Sequence, residues 1–599
     1  MCAGRFLSLL LFTSALAAQQ IDTANFSSER PKASLADRAE SPDERRQFLK
    51  MQEAREPQER QRLADDFVSR HPQSWLLAAA YQVAAAASIE LQDYDRVLAD
   101  GRRSLRLLPE NAALLVALAQ IEAAQGQWPQ ATRDAEDALL WLSVFRAPAA
   151  VKPAKWTQTR RELEEVARGI VTRAGARSAP PWAGAPEVHT KSAALPYAGS
   201  AACERCHHQV YESWRLTGMG AMLRPLTEAT LLADFSQQSE FRGLDRAVVR
   251  FGGRSGPHFE FAAPGGWKRF RIDYAIGSKW QQAYATRLAD GRIFVFPIQF
   301  NAIQKRWLNY WAAIDPPASE RAQVQRFPEL SPATNYQRNC AVCHTSQLRL
   351  KRLDDATMQN ATFREPGVNC EMCHGPCGRH VSAMQTGRPA TAENAVPPFP
   401  FARLDHWRGT MICGQCHRQS ALRDVGPQGE MNYTPSRPYF SWLLSQPFAE
   451  FGTRAFYKDG RFRETTFIGE AFMRSACFRR GTAQCASCHD PHPADPLPNR
   501  TSLKFPSHPD QMCLQCHSAL LPRIAQHTHH AAGSPASRCA ACHMPPIMTG
   551  LLFPAASHQI DIPRADLTER FGQQNSPNAC LLCHKDRDAR WVAARLETW

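Results

Sequence analysis

The motif Cys-x-x-Cys-His occurs eight times in this chain, and no other feature constrains it as strongly. The copies are Cys203/Cys206/His207, Cys340/Cys343/His344, Cys370/Cys373/His374 and Cys413/Cys416/His417, then Cys485/Cys488/His489, Cys513/Cys516/His517, Cys539/Cys542/His543 and Cys580/Cys583/His584. Two thiols at this spacing reach the two vinyl groups of one porphyrin and form thioethers. The His beside the second Cys is then held against one face of the ring as an axial iron ligand. Eight motifs therefore predict eight covalently bound haem c groups. Zinc is the rival reading, with Cys-x-x-Cys pairs closing tetrahedral sites. Zinc needs no His directly after every second Cys, yet all eight copies have one, and this sets both zinc and local disulfides aside.

Of the nineteen cysteines, Cys2, Cys377 and Cys477 stand outside the motifs. In an oxidising compartment the last two form either a disulfide or two buried thiols. Sixth ligands must come from elsewhere in the chain. His71 lies in a helical region and reads as an ordinary surface residue. Eleven further histidines lie around the motifs: His189, His208, His258, His380, His406, His492, His508, His527, His529, His530 and His558. They are enough for mostly bis-His, low-spin haems of low potential, suited to electron transfer. Met219 is an alternative ligand that would raise one potential.

The N-terminus predicts the compartment. Arg5, the apolar run Phe6 to Phe12 and the small residues Ala15-Leu16-Ala17-Ala18 read as a secretory signal peptide over residues 1–18. Cys2 would leave with it. No later stretch approaches the length of a membrane span, so a periplasmic or otherwise exported location is expected. The formal charge of +14 invites a nucleic-acid reading. Export argues against that reading, and eight ferric haems at about −1 each would leave roughly +6.

At 599 residues the chain suggests two or three domains, and its 43 prolines favour ordered loops. Residues 19–45 are polar and read as a flexible segment. From 46 to 175 the sequence is Ala- and Leu-rich with a repeat of 34: Tyr94 maps to Trp128, Val97 to Ala131, Gly101 to Ala135 and Leu105 to Leu139. The period matches tetratricopeptide-like helical repeats. Two clear units are too few for a free solenoid, so these helices are expected to dock on the remainder of the protein. A Pro-rich linker spans 176–189, and the haem region runs from 190 to 599. Within it, residues 240–335 turn strand-like, with hairpin turns at Gly265-Gly266 and Asp290-Gly291. The expected fold is mostly α with irregular loops: a helical-repeat domain, then a multihaem cytochrome c domain containing a small inserted antiparallel β-sheet.

The haem region resembles the multihaem cytochrome c family with doubled Cys-x-x-Cys-His motifs, the c-prime-like type often fused to tetratricopeptide repeats. The matching segments are Tyr197 to Cys203 with Trp214, Gly367 to Pro376 with His380, and Cys485 to His492. To these add His527 to His530, Cys539 to Pro545, His558 and Pro577 to His584. The resemblance implies closely packed haems and distal roles for His380, His492, His529 or His530, and His558. The chain departs from the family in three ways. Such proteins usually carry Gly where Cys377 stands, some have a His near Met219, and their repeats often follow the haems.

The leading expectation is an electron carrier between redox partner proteins, docked by the helical repeats. The alternative is an oxidoreductase acting on a small nitrogen or sulfur compound at one open iron. Pentahaem nitrite reductases mark that iron with Lys in place of the motif His, and no Cys-x-x-Cys-Lys occurs here. A third possibility is a scaffold in which the repeats dominate.

Overall fold

A computed structural model describes residues 34–144, 152–175, 196–243, 247–253, 256–314, 320–349, 361–386, 399, 401, 404–418, 430–431, 453–550 and 552–599. The expected signal peptide, the Pro-rich linker and His189 lie outside the described residues.

Seven helices form the N-terminal region: α1 (Pro42–Glu53), α2 (Pro57–Arg70), α3 (Leu77–Glu90), α4 (Tyr94–Leu107), α5 (Ala112–Ala124), α6 (Trp128–Val144) and α7 (Pro153–Arg173). Their starts are set by short polar caps. Ser41 accepts from Glu44 N, Asp93 from Arg96 N, and Asn111 from Leu114 N, each satisfying an amide that the helix itself leaves open. Helices α4 and α6 begin 34 residues apart, at equivalent positions of two helical hairpins. Helices α3 and α5 are apolar all round, so each is buried on nearly every face. Gly101 lets α4 approach α5, because a Cβ there would press on Leu118.

Folding begins earlier than the polar composition of residues 19–45 suggests. A 3-10 turn at Leu35–Arg38 is closed by reciprocal bonds between Ser34 and Asp37, and buries Leu35 and Ala36. Residues 34–45 are thus anchored by two apolar side chains and two helix caps.

The helices dock on the remainder of the chain through ion pairs as well as apolar contacts. Arg474 Nε lies 2.5 Å from Glu110 Oε1, both side chains almost fully buried, and Arg474 Nη1 donates to the Gly460 carbonyl at 2.6 Å. Arg479 and Arg480 both reach Asp137, and Arg106 reaches Asp566. One apolar core runs from Phe48, Phe67 and Trp141 through to Tyr336, Met411 and Phe467.

Two antiparallel sheets form between the first and second motifs. Strands β1 (Leu223–Pro225), β6 (Tyr274–Ile276), β7 (Gln281–Arg287), β9 (Ile298–Asn301) and β10 (Arg306–Asn309) make the larger one, with β8 (Ile293–Val295) also on β7. Strands β2 (Ser239–Arg242), β3 (Val248–Gly252), β4 (His258–Ala263) and β5 (Gly266–Arg271) make a four-stranded meander. The β4–β5 turn is Pro264-Gly265, with Gly265 at φ +91°, the left-handed conformation that favours glycine. The strands begin earlier and end earlier than the expected 240–335, because Leu223–Pro225 is recruited as an edge on β6. They enclose their own aromatic core of Phe235, Phe251, Phe259, Phe261, Phe296 and Trp307. No helix among the described residues is long and apolar enough to cross a membrane.

Candidate functional site

Each Cys-x-x-Cys-His motif sits on or beside one short helical turn. The His amide returns to the carbonyl of the first Cys, as in His207 to Cys203 (2.9 Å), His417 to Cys413 (3.0 Å), His489 to Cys485 (2.9 Å) and His584 to Cys580 (2.9 Å). An i to i+4 bond puts the His and the first Cys on one face of the turn. Local caps hold some of these turns. Asn369 Oδ1 accepts from Met372 N, and Asn578 Oδ1 from Cys580 N.

The sixteen motif thiols are not equally sheltered. Cys206, Cys516 and Cys583, the second cysteines of the first, sixth and eighth motifs, are exposed, whereas the other thirteen are half-buried. The reason is local packing. Cys206 falls in the exposed run 205–210 and Cys516 in the exposed run 515–519, while Cys583 is followed closely by the exposed residues 585–588. At these three motifs the polypeptide alone does not enclose the second thiol. The first cysteines of the same motifs, Cys203, Cys513 and Cys580, are the more sheltered of each pair.

Five motif histidines face a second histidine. His207 faces His380 at 6.5 Å between ring centroids, His374 faces His492 at 6.3 Å, and His489 faces His558 at 6.2 Å. His543 faces His527 at 6.1 Å, and His584 faces His530 at 6.2 Å. These rings are too far apart to touch. A metal–imidazole bond of about 2.0–2.1 Å puts the centroids of two imidazoles on opposite sides of one metal about 6.4 Å apart. The observed spacings cluster at that value.

The backbone fixes which ring nitrogen is free. Nδ1 donates to a main-chain carbonyl in His489 (Thr501, 2.9 Å), His530 (Thr528, 2.6 Å), His543 (Asp561, 3.0 Å) and His558 (Ala556, 3.0 Å). Nε2 is left as the lone-pair donor, the arrangement that orients a ligating imidazole. Burial, with His492 and His207 adding to it, pushes His374 down to about 4. Burial and the neighbouring His489 do the same to His558, and burial and His417 to His344. These rings are neutral at pH 7, as a metal ligand must be. The donor set fits covalently attached haem at the Cys-x-x-Cys-His motifs, and His380, His492, His527, His530 and His558 stand opposite motif histidines.

His529 and His527 differ from the reading of the sequence. His529 stacks on Trp599 at 4.7 Å rather than facing a motif imidazole. His527, which the resemblance did not single out, faces His543. Residues Ile524–Thr528 are helical and His529 has φ +52°, so the chain turns at 529 and sends His527 and His530 to two different motifs. Three histidines within four residues hid this division. His406 packs on Phe478, and His258 bonds the Gly256 carbonyl within the β-region. Among the described residues no second imidazole faces His344, His417 or His517 in this way.

Cys377 and Cys477 are not joined. Cys377 is buried with its Sγ 3.1 Å from the Gly375 carbonyl, while Cys477 lies near Cys488 and Cys516.

Residues 478–521, containing the fifth and sixth motifs, match the family model of the doubled CXXCH motif. Residues 303–375, containing the second and third, match that of cytochrome c554 and c-prime. Among solved structures, the outer cell wall cytochrome OcwA aligns with a TM-score of 0.42 at 18% identity, over 67% of this chain and 86% of that chain. No curated protein sequence matches.

Proposed function

We propose that this multihaem c-type cytochrome is an exported, eight-haem electron carrier. The observation that carries the proposal is the set of five imidazole pairs at 6.1–6.5 Å. When bound, haem supplies one-electron chemistry at iron, and two imidazoles per iron favour electron transfer over substrate binding. The chain's own residues attach the groups through sixteen cysteines, keep His344, His374 and His558 neutral by burial, and fix the rings of His489, His530, His543 and His558 through bonds from Nδ1 to main-chain carbonyls. The helical repeats already turn one face to the haem region. Their remaining faces are available to a redox partner protein.

A second reading is favoured by His344, His417 and His517, which have no facing imidazole among the described residues. An iron with an open sixth position would let the protein act as an oxidoreductase on a small nitrogen or sulfur compound. Three measurements on the mature, haem-loaded protein decide. Intact mass and the pyridine haemochrome assay should return eight haems per chain, and fewer would sink the octahaem reading. Low-temperature EPR of the oxidised protein should give only low-spin ferric signals for a pure carrier. A high-spin ferric signal would move the assignment to the enzyme and call for assays with nitrite, hydroxylamine and tetrathionate.

A further inference from the structure

We infer that the eight motifs stand in space in the order first, third, fourth, fifth, sixth, seventh, eighth, with the second on a spur from the fourth. The inference rests on the eight-haem reading and supplies what that reading lacks, the order of the sites.

Motif-to-motif contacts give the line directly. Cys203 lies against Cys370, so the first motif meets the third without the second between them. Cys370 Sγ is also 3.6 Å from Ser200 Oγ, and Glu371 accepts from the amides of Ala198 and Gly199. Gln415 Nε2 donates to the Met372 carbonyl at 2.9 Å, joining the fourth motif to the third. Cys413 lies against Cys485, joining fourth to fifth. Gln515 Nε2 donates to the Ser487 carbonyl at 3.0 Å, joining sixth to fifth. Cys513 lies against Cys539, and Cys539 N bonds Asp510 at 3.0 Å, joining sixth to seventh. Cys542 neighbours Cys583, joining seventh to eighth.

The second motif enters this line at the side. Its Cys343 lies against Cys416 of the fourth. The strand pair Thr345–Ser346 with Glu365–Pro366 ties its backbone to the segment before the third motif, but the cysteines that meet are those of the second and fourth. The histidines repeat the pattern independently: His207 neighbours His374, His344 neighbours His417, and His417 neighbours His489.

On its other side the spur is closed by the β-region. Ile293 N donates to Gln337 Oε1 at 2.9 Å, Gln337 Nε2 returns to the Gly291 carbonyl at 2.9 Å, and Phe294 bridges Asn335. This gives the β-region inserted between the first two motifs a role. It walls the one site that lies off the line.

The test is the arrangement of irons in the haem-loaded protein, located by anomalous scattering at the iron edge. The expected result is seven irons in a single file in the stated order, with the iron of the second motif having that of the fourth as its nearest neighbour. An iron of the second motif lying nearest to the first or third, or a break in the file, overturns the spur and leaves the eight-haem reading intact. A count below eight overturns that reading instead.

Discussion

His374 and His492 lie in different motif segments, yet their rings face one another at 6.3 Å with planes only 12° apart. That relationship sets His492 opposite His374 of the third motif rather than His489 of the fifth, three residues before it, and on the proposed eight-haem reading makes it a ligand of the third motif's iron. Replacing His492 with Ala should convert one haem of eight from low-spin to high-spin without changing the haem count. Low-temperature EPR and the pyridine haemochrome assay check both halves. His529→Ala, which removes the ring stacked on Trp599, should leave the EPR spectrum unchanged.

Arg474→Ala should strip the partner from Glu110 and leave a buried carboxylate uncompensated, costing about 3–5 kcal/mol. The double change Arg474→Met with Glu110→Leu should cost much less, because both charges leave together. Guanidinium unfolding followed by far-UV circular dichroism measures each.

Gly460 sits at φ +86° where the haem region meets the end of α4, and a Cβ there would fall on the Leu107 carbonyl oxygen. Gly460→Ala should therefore loosen the docking of the helices beyond the strain of about 1–2 kcal/mol expected from the backbone alone. Gly126 has φ +77° and open space around it, so Gly126→Ala should show the strain alone. The two melting temperatures, with limited proteolysis between the modules, separate the effects.

Gln415 is buried and bonds two carbonyls, those of Met372 and Ile412, whereas Gln515 makes the equivalent bonds to Ser487 and Met512 in solvent. Gln415→Leu should cost about 1–3 kcal/mol, and Gln515→Leu under about 1. An equal loss at both sites would mean that burial does not govern the joint between successive motifs.

The attachment residues were legible in the sequence because the chemistry demands a fixed local spacing. Their unequal shelter was not, because the exposure of Cys206 depends on which neighbours pack around its turn. The facing imidazoles were less legible still, because nothing local says which iron a distant His will meet. His380, His492 and His558 follow the third, fifth and seventh motifs but face the first, third and fifth. The i, i+3 spacing of His527 and His530 was the available signal for both, and His529 between them obscured it. The 34-residue period of the helices was readable from Tyr94 and Trp128. The docking of those helices through Arg474 and Glu110, 364 residues apart, depends on burial that no periodicity reveals.

The staggered ligand pairing has a consequence for how the protein is made. A chain emerging from its N-terminus presents His207 well before His380, His374 well before His492, and His489 well before His558. Each of these centres stays one imidazole short until the next-but-one motif has appeared. Assembly of these three pairs therefore waits on later sequence, and a chain truncated directly after the first, third or fifth motif would leave that motif's histidine without its facing imidazole.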